Sequence, residues 1–111
     1  NIEATFKDYS PNAKIYDSNL IEKDFNSLEE QMENVKNVFK TFDLLSIDEV
    51  GFPDYIDYEG SGGVVMSWCN MTMKNKKTGE IKVLKVHGQM SFNDSGSIVR
   101  EDLYYNSNIL N

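Results

Sequence analysis

The sequence predicts an α+β fold in which one helix packs on a curved antiparallel sheet. A capping box, Ser27-Leu-Glu-Glu30, opens a run of helical apolar spacing. After Phe42 the apolar period shortens to two, as in strands. Two turn segments, Asn75-Lys-Lys-Thr-Gly79 and Asn93-Asp-Ser-Gly96, then divide the remainder into strands joined so tightly that they must be antiparallel neighbours.

Length and composition set the bounds. At 111 residues, 40% apolar and 26% charged, the chain suits one folded domain over 1–111 with a single core. A net charge of −7 repels phosphate backbones and anionic lipid, so nucleic acid is not an expected partner. No stretch has the length of apolar sequence that a membrane span needs, so no membrane partner is expected either. The lone Cys69 excludes an internal disulfide, and no ligand spacing points to a metal or any other cofactor. The chain starts at Asn1 without a methionine, so an N-terminal segment is expected to have been removed or cleaved, or to be disordered. The expectation is a soluble, cytoplasmic protein unless that segment carried a signal.

Element by element, residues 2–8 read as the last turns of a helix, closed by Tyr9-Ser-Pro-Asn12, because proline cannot continue a helical ladder. Ala13 to Tyr16 reads as a short strand, followed by a turn at Asp17-Ser-Asn19. The helix from Ser27 to Phe42 carries Leu28, Met32, Val35, Phe39 and Phe42 on one face. Its acidic residues cluster near the start and Lys36 and Lys40 near the end, as the helix dipole favours. Leu44 to Val50 reads as a strand, and 51–63 as a connection with a short strand near Tyr55-Ile56. Asp54, Asp57 and Glu59 there lack the spacing of an EF-hand and read as a solvated acidic loop. Val64 to Lys74, Ile81 to Phe92 and Ile98 to Tyr105 complete the meander. In its middle strand Leu84, Val86, Gly88, Met90 and Phe92 share the core face, opposite Lys85, His87 and Gln89. Gly88 within that strand marks an expected bend.

The closing run Asp94-Ser-Gly-Ser-Ile-Val-Arg-Glu-Asp-Leu-Tyr-Tyr-Asn106, with Gly63-Val-Val-Met-Ser-Trp68 before it, resembles the SnoaL-like branch of the nuclear transport factor 2-like superfamily, over residues 2–106. The resemblance implies a cone-like (cystatin-like) fold, a bent sheet wrapped around helices and enclosing a pocket, often in a homodimer. The family's long first helix is expected to be missing from this chain. That superfamily contains cyclases, an epoxide hydrolase, isomerases, dehydratases and non-catalytic binding domains, so the fold does not supply the function. The positions matching the hydrolase Asp-Arg-Asp set fall near Cys69, Met71 and Leu103, none of which is charged in this way.

If Leu103 faces the pocket, then Val99, Glu101 and Tyr105 face it too, and an enclosed Glu101 is the candidate acid or base. The alternative pairs Glu101 with Lys85 across the strands or leaves it in solvent. His87, the single histidine, is expected on the opposite face, and joins Glu101 in an acid–base pair only if a bulge reverses its strand. Trp68, Cys69, Met71, Met90, Leu103 and Tyr105 are the expected pocket lining, suited to an apolar or aromatic molecule. Three readings follow: a ligand-binding pocket protein without established catalysis that dimerises through the exposed sheet face; a proton-shuttling cyclase, isomerase or dehydratase using Glu101; and a protein-binding accessory domain with a filled core.

Overall fold

The computed structural model describes residues 2–58 and 62–110, so Glu59 of the acidic loop lies outside the described residues. The elements are α1 (Ile2–Thr5), β1 (Tyr9–Asp17), β2 (Asn26–Ser27), α2 (Leu28–Thr41), β3 (Phe42–Glu49), β4 (Asp54–Tyr58), β5 (Gly62–Asn75), β6 (Ile81–Phe92), β7 (Ile98–Tyr104) and a closing 3-10 turn, Ser107–Leu110. The strands form one sheet in the order β2-β1-β7-β6-β5-β3, with β4 pairing β5 beyond the end of β3.

The capping box forms as the sequence requires. Glu30 N donates to Ser27 Oγ at 3.2 Å, and Ser27 N donates to Glu30 Oε1 at 3.1 Å. Lys23 pairs with Glu30 at the same helix start. Helix α2 packs against β1, β2 and β3. Its expected stripe is half-buried, with Phe42 buried at the C-cap, and the helix residue driven deepest is polar: Gln31. Its amide oxygen accepts from buried Asn26 Nδ2 at 3.3 Å, which offsets the cost of taking both amides out of water.

The expected hairpins β5–β6 and β6–β7 are antiparallel, but the sheet is mixed. β1 and β7 run parallel, with Ile15 opposite Glu101 and Asp17 opposite Leu103. The strands of the C-terminal half pair antiparallel throughout, as expected; the turn argument governs neighbours in sequence and has no hold on β1, which is far from β7 in the chain. Pro11, expected in a turn before the strand, instead lies inside β1, where the ladder to β7 is interrupted between Tyr9 and Lys14. A residue without an N–H is tolerated in such a gap.

A second irregularity lies between β6 and β7. Ser91 faces Arg100 while Phe92 faces Ile98, so Val99 is the extra residue, and Ile98 takes the inward place expected for Val99. Ile98 joins Phe6, Ala13, Ile15, Phe42, Met73 and Leu84 in the buried core.

Candidate functional site

The inner face of β5–β7, roofed by α2, holds a cavity of about 170 Å³. The sheet contributes Met71, Met73, Leu84, Val86 and Leu103, the helix Gln31, Val35, Val38 and Phe39, and the segment after β7 Tyr105 and Leu110. Strand pairing explains the convergence: Met71 lies opposite Leu84 and Gly88 opposite Leu103, and directly opposed residues share a face. Met71, Leu103 and Tyr105 of the expected lining are therefore brought together. The other wall was present in the sequence as the α2 stripe and the inner set of β6, where it reads equally well as plain core.

Three expected lining residues lie elsewhere. Trp68 is opposite His87 on the outer face of the sheet and 42% exposed, because β5 and β6 pair in unbroken register and so share the alternation of β6. Cys69, opposite Val86 and so on the inward side of the alternation, is half-buried but lines a separate depression of about 400 Å³, with Val50, Trp68, Asn70, Val86 and His87 among its walls. Burial first, and then the Glu49 carboxylate, push its thiol above the ordinary cysteine value. Met90 is half-buried opposite Glu101 and lines neither cavity.

Glu101 is 4% exposed on the inner face. Tyr9 Oη donates to its Oε2 at 2.7 Å. Burial raises the Glu101 carboxyl above the usual carboxylate value, the Tyr9 hydrogen bond opposes that shift, and the neighbouring Asp102 charge adds to it. The Tyr9 hydroxyl is itself driven well above the ordinary tyrosine value, by burial and then by the Glu101 charge. Nothing in the sequence singled out Tyr9, which sat in an apparent turn. The Lys85 pairing is not formed: Lys85 lies opposite Asn70, on the other face. Glu101 does not line the cavity, although Leu103, two residues along, does. Tyr105, at the cavity wall, donates to Asp17 Oδ2 at 2.5 Å, and burial followed by that bond raises its hydroxyl as well.

His87 does not meet Glu101, because no bulge intervenes and the two stand on opposite faces of the sheet. Its Nδ1 lies 2.8 Å from the Ser67 carbonyl, an acceptor, so Nδ1 carries the proton and Nε2 accepts from Gln89 Nε2 at 3.3 Å. The ring stacks at 4.5 Å on Trp68 and 5.9 Å on Tyr104, both at 22°, forming an aromatic row across three strands. Among the described residues no group of three His, Cys, Asp or Glu side chains is placed to hold a metal ion, and no helix is long and apolar enough to cross a membrane.

No protein-family model matches the sequence, and no curated protein matches it significantly. Solved structures do. A candidate isomerase from Bacillus subtilis superposes with a TM-score of 0.75 at 17% identity, over 98% of this chain and 77% of that one. A candidate SnoaL-like polyketide cyclase from Mesorhizobium loti gives 0.69 at 14%, over 92% and 83%. An NTF2-like protein from Burkholderia thailandensis gives 0.72 at 16%, over 99% and 82%. With its curved mixed sheet around α2, the chain has the cone-like α+β fold of the nuclear transport factor 2-like superfamily, the fold also adopted by SnoaL-like proteins.

Proposed function

We propose that this chain is a pocket protein of the SnoaL-like type that binds a small apolar or aromatic molecule between α2 and the inner sheet face. The observation carrying this is the chemistry of the cavity wall: aliphatic, thioether and aromatic groups, with the Gln31 amide and the Tyr105 hydroxyl as its polar atoms and no carboxylate. At about 170 Å³ the space is smaller than the several hundred Å³ of a drug-sized site. It is near the roughly 150 Å³ at which a dry apolar cavity takes up benzene. Single-ring molecules are therefore the size class to test.

The test is a thermal-shift titration with benzene, toluene, phenol and indole. A ligand at about 100 times its Kd adds roughly 2.7 kcal/mol to the stability of the native state, an easily read rise in Tm. The variant Met71→Trp, which fills the cavity, is expected to abolish the shift while keeping the native circular dichroism spectrum. A flat response of the wild type to the whole panel would reject the ligand reading and favour a protein-binding domain with a filled core.

One observation supports an enzymatic alternative: Glu101 is a buried carboxyl held above its ordinary value, as a proton shuttle requires. Its separation from the cavity wall and its bond to Tyr9 weigh against it. Deuterium incorporation next to the carbonyl of cyclohexanone, catalysed by the wild type but not by Glu101→Gln, would sustain the alternative. No incorporation above buffer background would remove it.

For the assembly, the reading is a homodimer through the outer sheet face, where Trp68 and Tyr104 lie 42% and 49% exposed on either side of His87. Sedimentation equilibrium of the wild type and of Trp68→Glu tests it: a monomeric wild type sinks the proposal.

A further inference from the structure

The strands β3 and β4 lie end to end along the same edge of β5. β4 pairs with residues 62–66 and β3 with 69–75. Among the described residues no strand covers the far side of either. Between them the chain steps outward through Val50 to Pro53, where Gly51 adopts φ +77°. This edge carries exposed Leu45, Ile47, Val50, Phe52, Tyr55 and Ile56, with Phe52 at the step 89% exposed. Single exposed apolar residues need no explanation, but six within one edge segment do.

Charge is segregated onto the same segment. Residues 41–73 hold six of the eighteen acidic residues and none of the eleven basic ones. They carry −6 of the net −7, and the rest of the chain, twelve acidic against eleven basic, is nearly neutral. Among the described residues of the segment, one carboxylate has an ion pair, Asp43 with Lys76 at 3.8 Å. Edge strands are usually guarded against pairing by lysines, prolines or bulges. β3 has no lysine; its guards are the bulge between Leu44 and Ser46 and the carboxylates Asp43, Asp48 and Glu49, which repel an acidic or like-charged edge but not a basic one.

We propose that the β3–β4 edge is a docking surface for an extended protein segment in which lysine or arginine alternates with apolar residues, added to the sheet as a further strand beside β3. The unpaired backbone of β3 supplies the ladder, exposed Leu45 and Ile47 the buried contact, and Asp48 and Glu49 the charge complement, with Asp54 and Asp57 of β4 adding to the field beyond its end. A second copy of this chain is a poor occupant, because edge-to-edge pairing would oppose the same carboxylates. Anionic lipid and nucleic acid are repelled for the same reason.

The probe is a fluorescein-labelled peptide of alternating lysine and valine, about eight residues long to match β3, titrated by fluorescence anisotropy. Comparison peptides replace lysine by glutamate or valine by glycine. Saturable binding is expected for the lysine–valine peptide, weakening about tenfold or more between ~0.05 M and ~0.5 M salt. New amide hydrogen-exchange protection is expected within 42–49 in its presence. The exposed double variant Asp48→Lys, Glu49→Lys should lose about tenfold in affinity while retaining the wild-type Tm. Absent binding, equal binding of the lysine–glycine or the glutamate peptide, protection elsewhere, or undiminished affinity of the double variant would each overturn the proposal. So would concentration-dependent self-association abolished by Phe52→Asp, which would assign the edge to a second copy.

Discussion

Replacing Tyr9 with phenylalanine deletes one oxygen and keeps the ring that packs on Phe6 at 5.1 Å. The lost hydroxyl is the 2.7 Å donor to a carboxyl that is only 4% exposed, so water cannot readily take its place. A hydrogen bond to a charged group contributes about 1.5–3 kcal/mol, and a neutral one about 1 kcal/mol. The expected cost of Tyr9→Phe is therefore about 2 kcal/mol where Glu101 is ionised and about 1 kcal/mol where it is protonated, so the cost grows as pH rises through the Glu101 titration. The sign follows from linkage. Burial raises the Glu101 carboxyl in the folded state, so its stabilising contribution is complete below the unfolded carboxyl value and is lost as pH rises through the folded one. Tyr9 opposes that rise; without it the folded value climbs further and the loss with pH deepens. Glu101→Gln removes the titration yet keeps an oxygen that accepts from Tyr9, and should flatten the pH dependence. Urea unfolding of the wild type, both single variants and the double variant between about pH 4 and pH 8 measures all of this. A Tyr9→Phe cost below about 0.5 kcal/mol where Glu101 is ionised, or one that does not change with pH, would refute the reasoning.

Other outcomes follow from single contacts. Ser27→Ala loses the cap of α2 and should cost about 1 kcal/mol by urea unfolding. Met73→Ala, at a site 1% exposed, should cost about 2–4 kcal/mol and enlarge the inner cavity, so any shift in Tm produced by benzene should grow. A methyl group at Gly88 would meet Leu103 Cδ2 at 3.6 Å and Ser67 Oγ at 3.7 Å, ordinary contact distances. Gly88→Ala should therefore stay within about 0.5 kcal/mol of wild type, whereas Gly96→Ala, at φ +83°, should lose about 1–2 kcal/mol. His87→Ala unstacks the ring 4.5 Å from Trp68 and should alter the tryptophan emission at a stability cost near 1 kcal/mol.

What was legible in the sequence was local. The cap at Ser27 and the strand Ile81–Phe92 stand where spacing and turn chemistry put them, because neighbouring residues alone decide them. What escaped depends on distant partners. Gln31 is the deepest residue of α2 because Asn26 waits beneath it, and helical apolar spacing has no means of marking such a pair. Trp68 faces outward because of its register with His87, which was decidable once the alternation of β6 was carried across the hairpin. Val99 lost its inward place to a bulge that no local motif announced. At the candidate site, Leu103 and Glu101 alternate on one strand as expected, but only the parallel partner strand brings Tyr9 to the carboxyl.

That parallel partnership has a consequence for synthesis. β7 is the strand that joins β1 to β6, so the sheet has no continuity between its first and later strands until residues 98–104 have emerged and inserted. Before that moment β1 is paired only with the two residues of β2, and Ile15, fully buried in the finished fold, has no neighbour on its other side. From the synthesis of β4 until β7 emerges, the nascent chain therefore carries its acidic, apolar β3–β4 edge and an unmatched β1 edge together. Closure of so long a loop places folding among the slower, sheet-dominated topologies, in the range of about milliseconds to seconds.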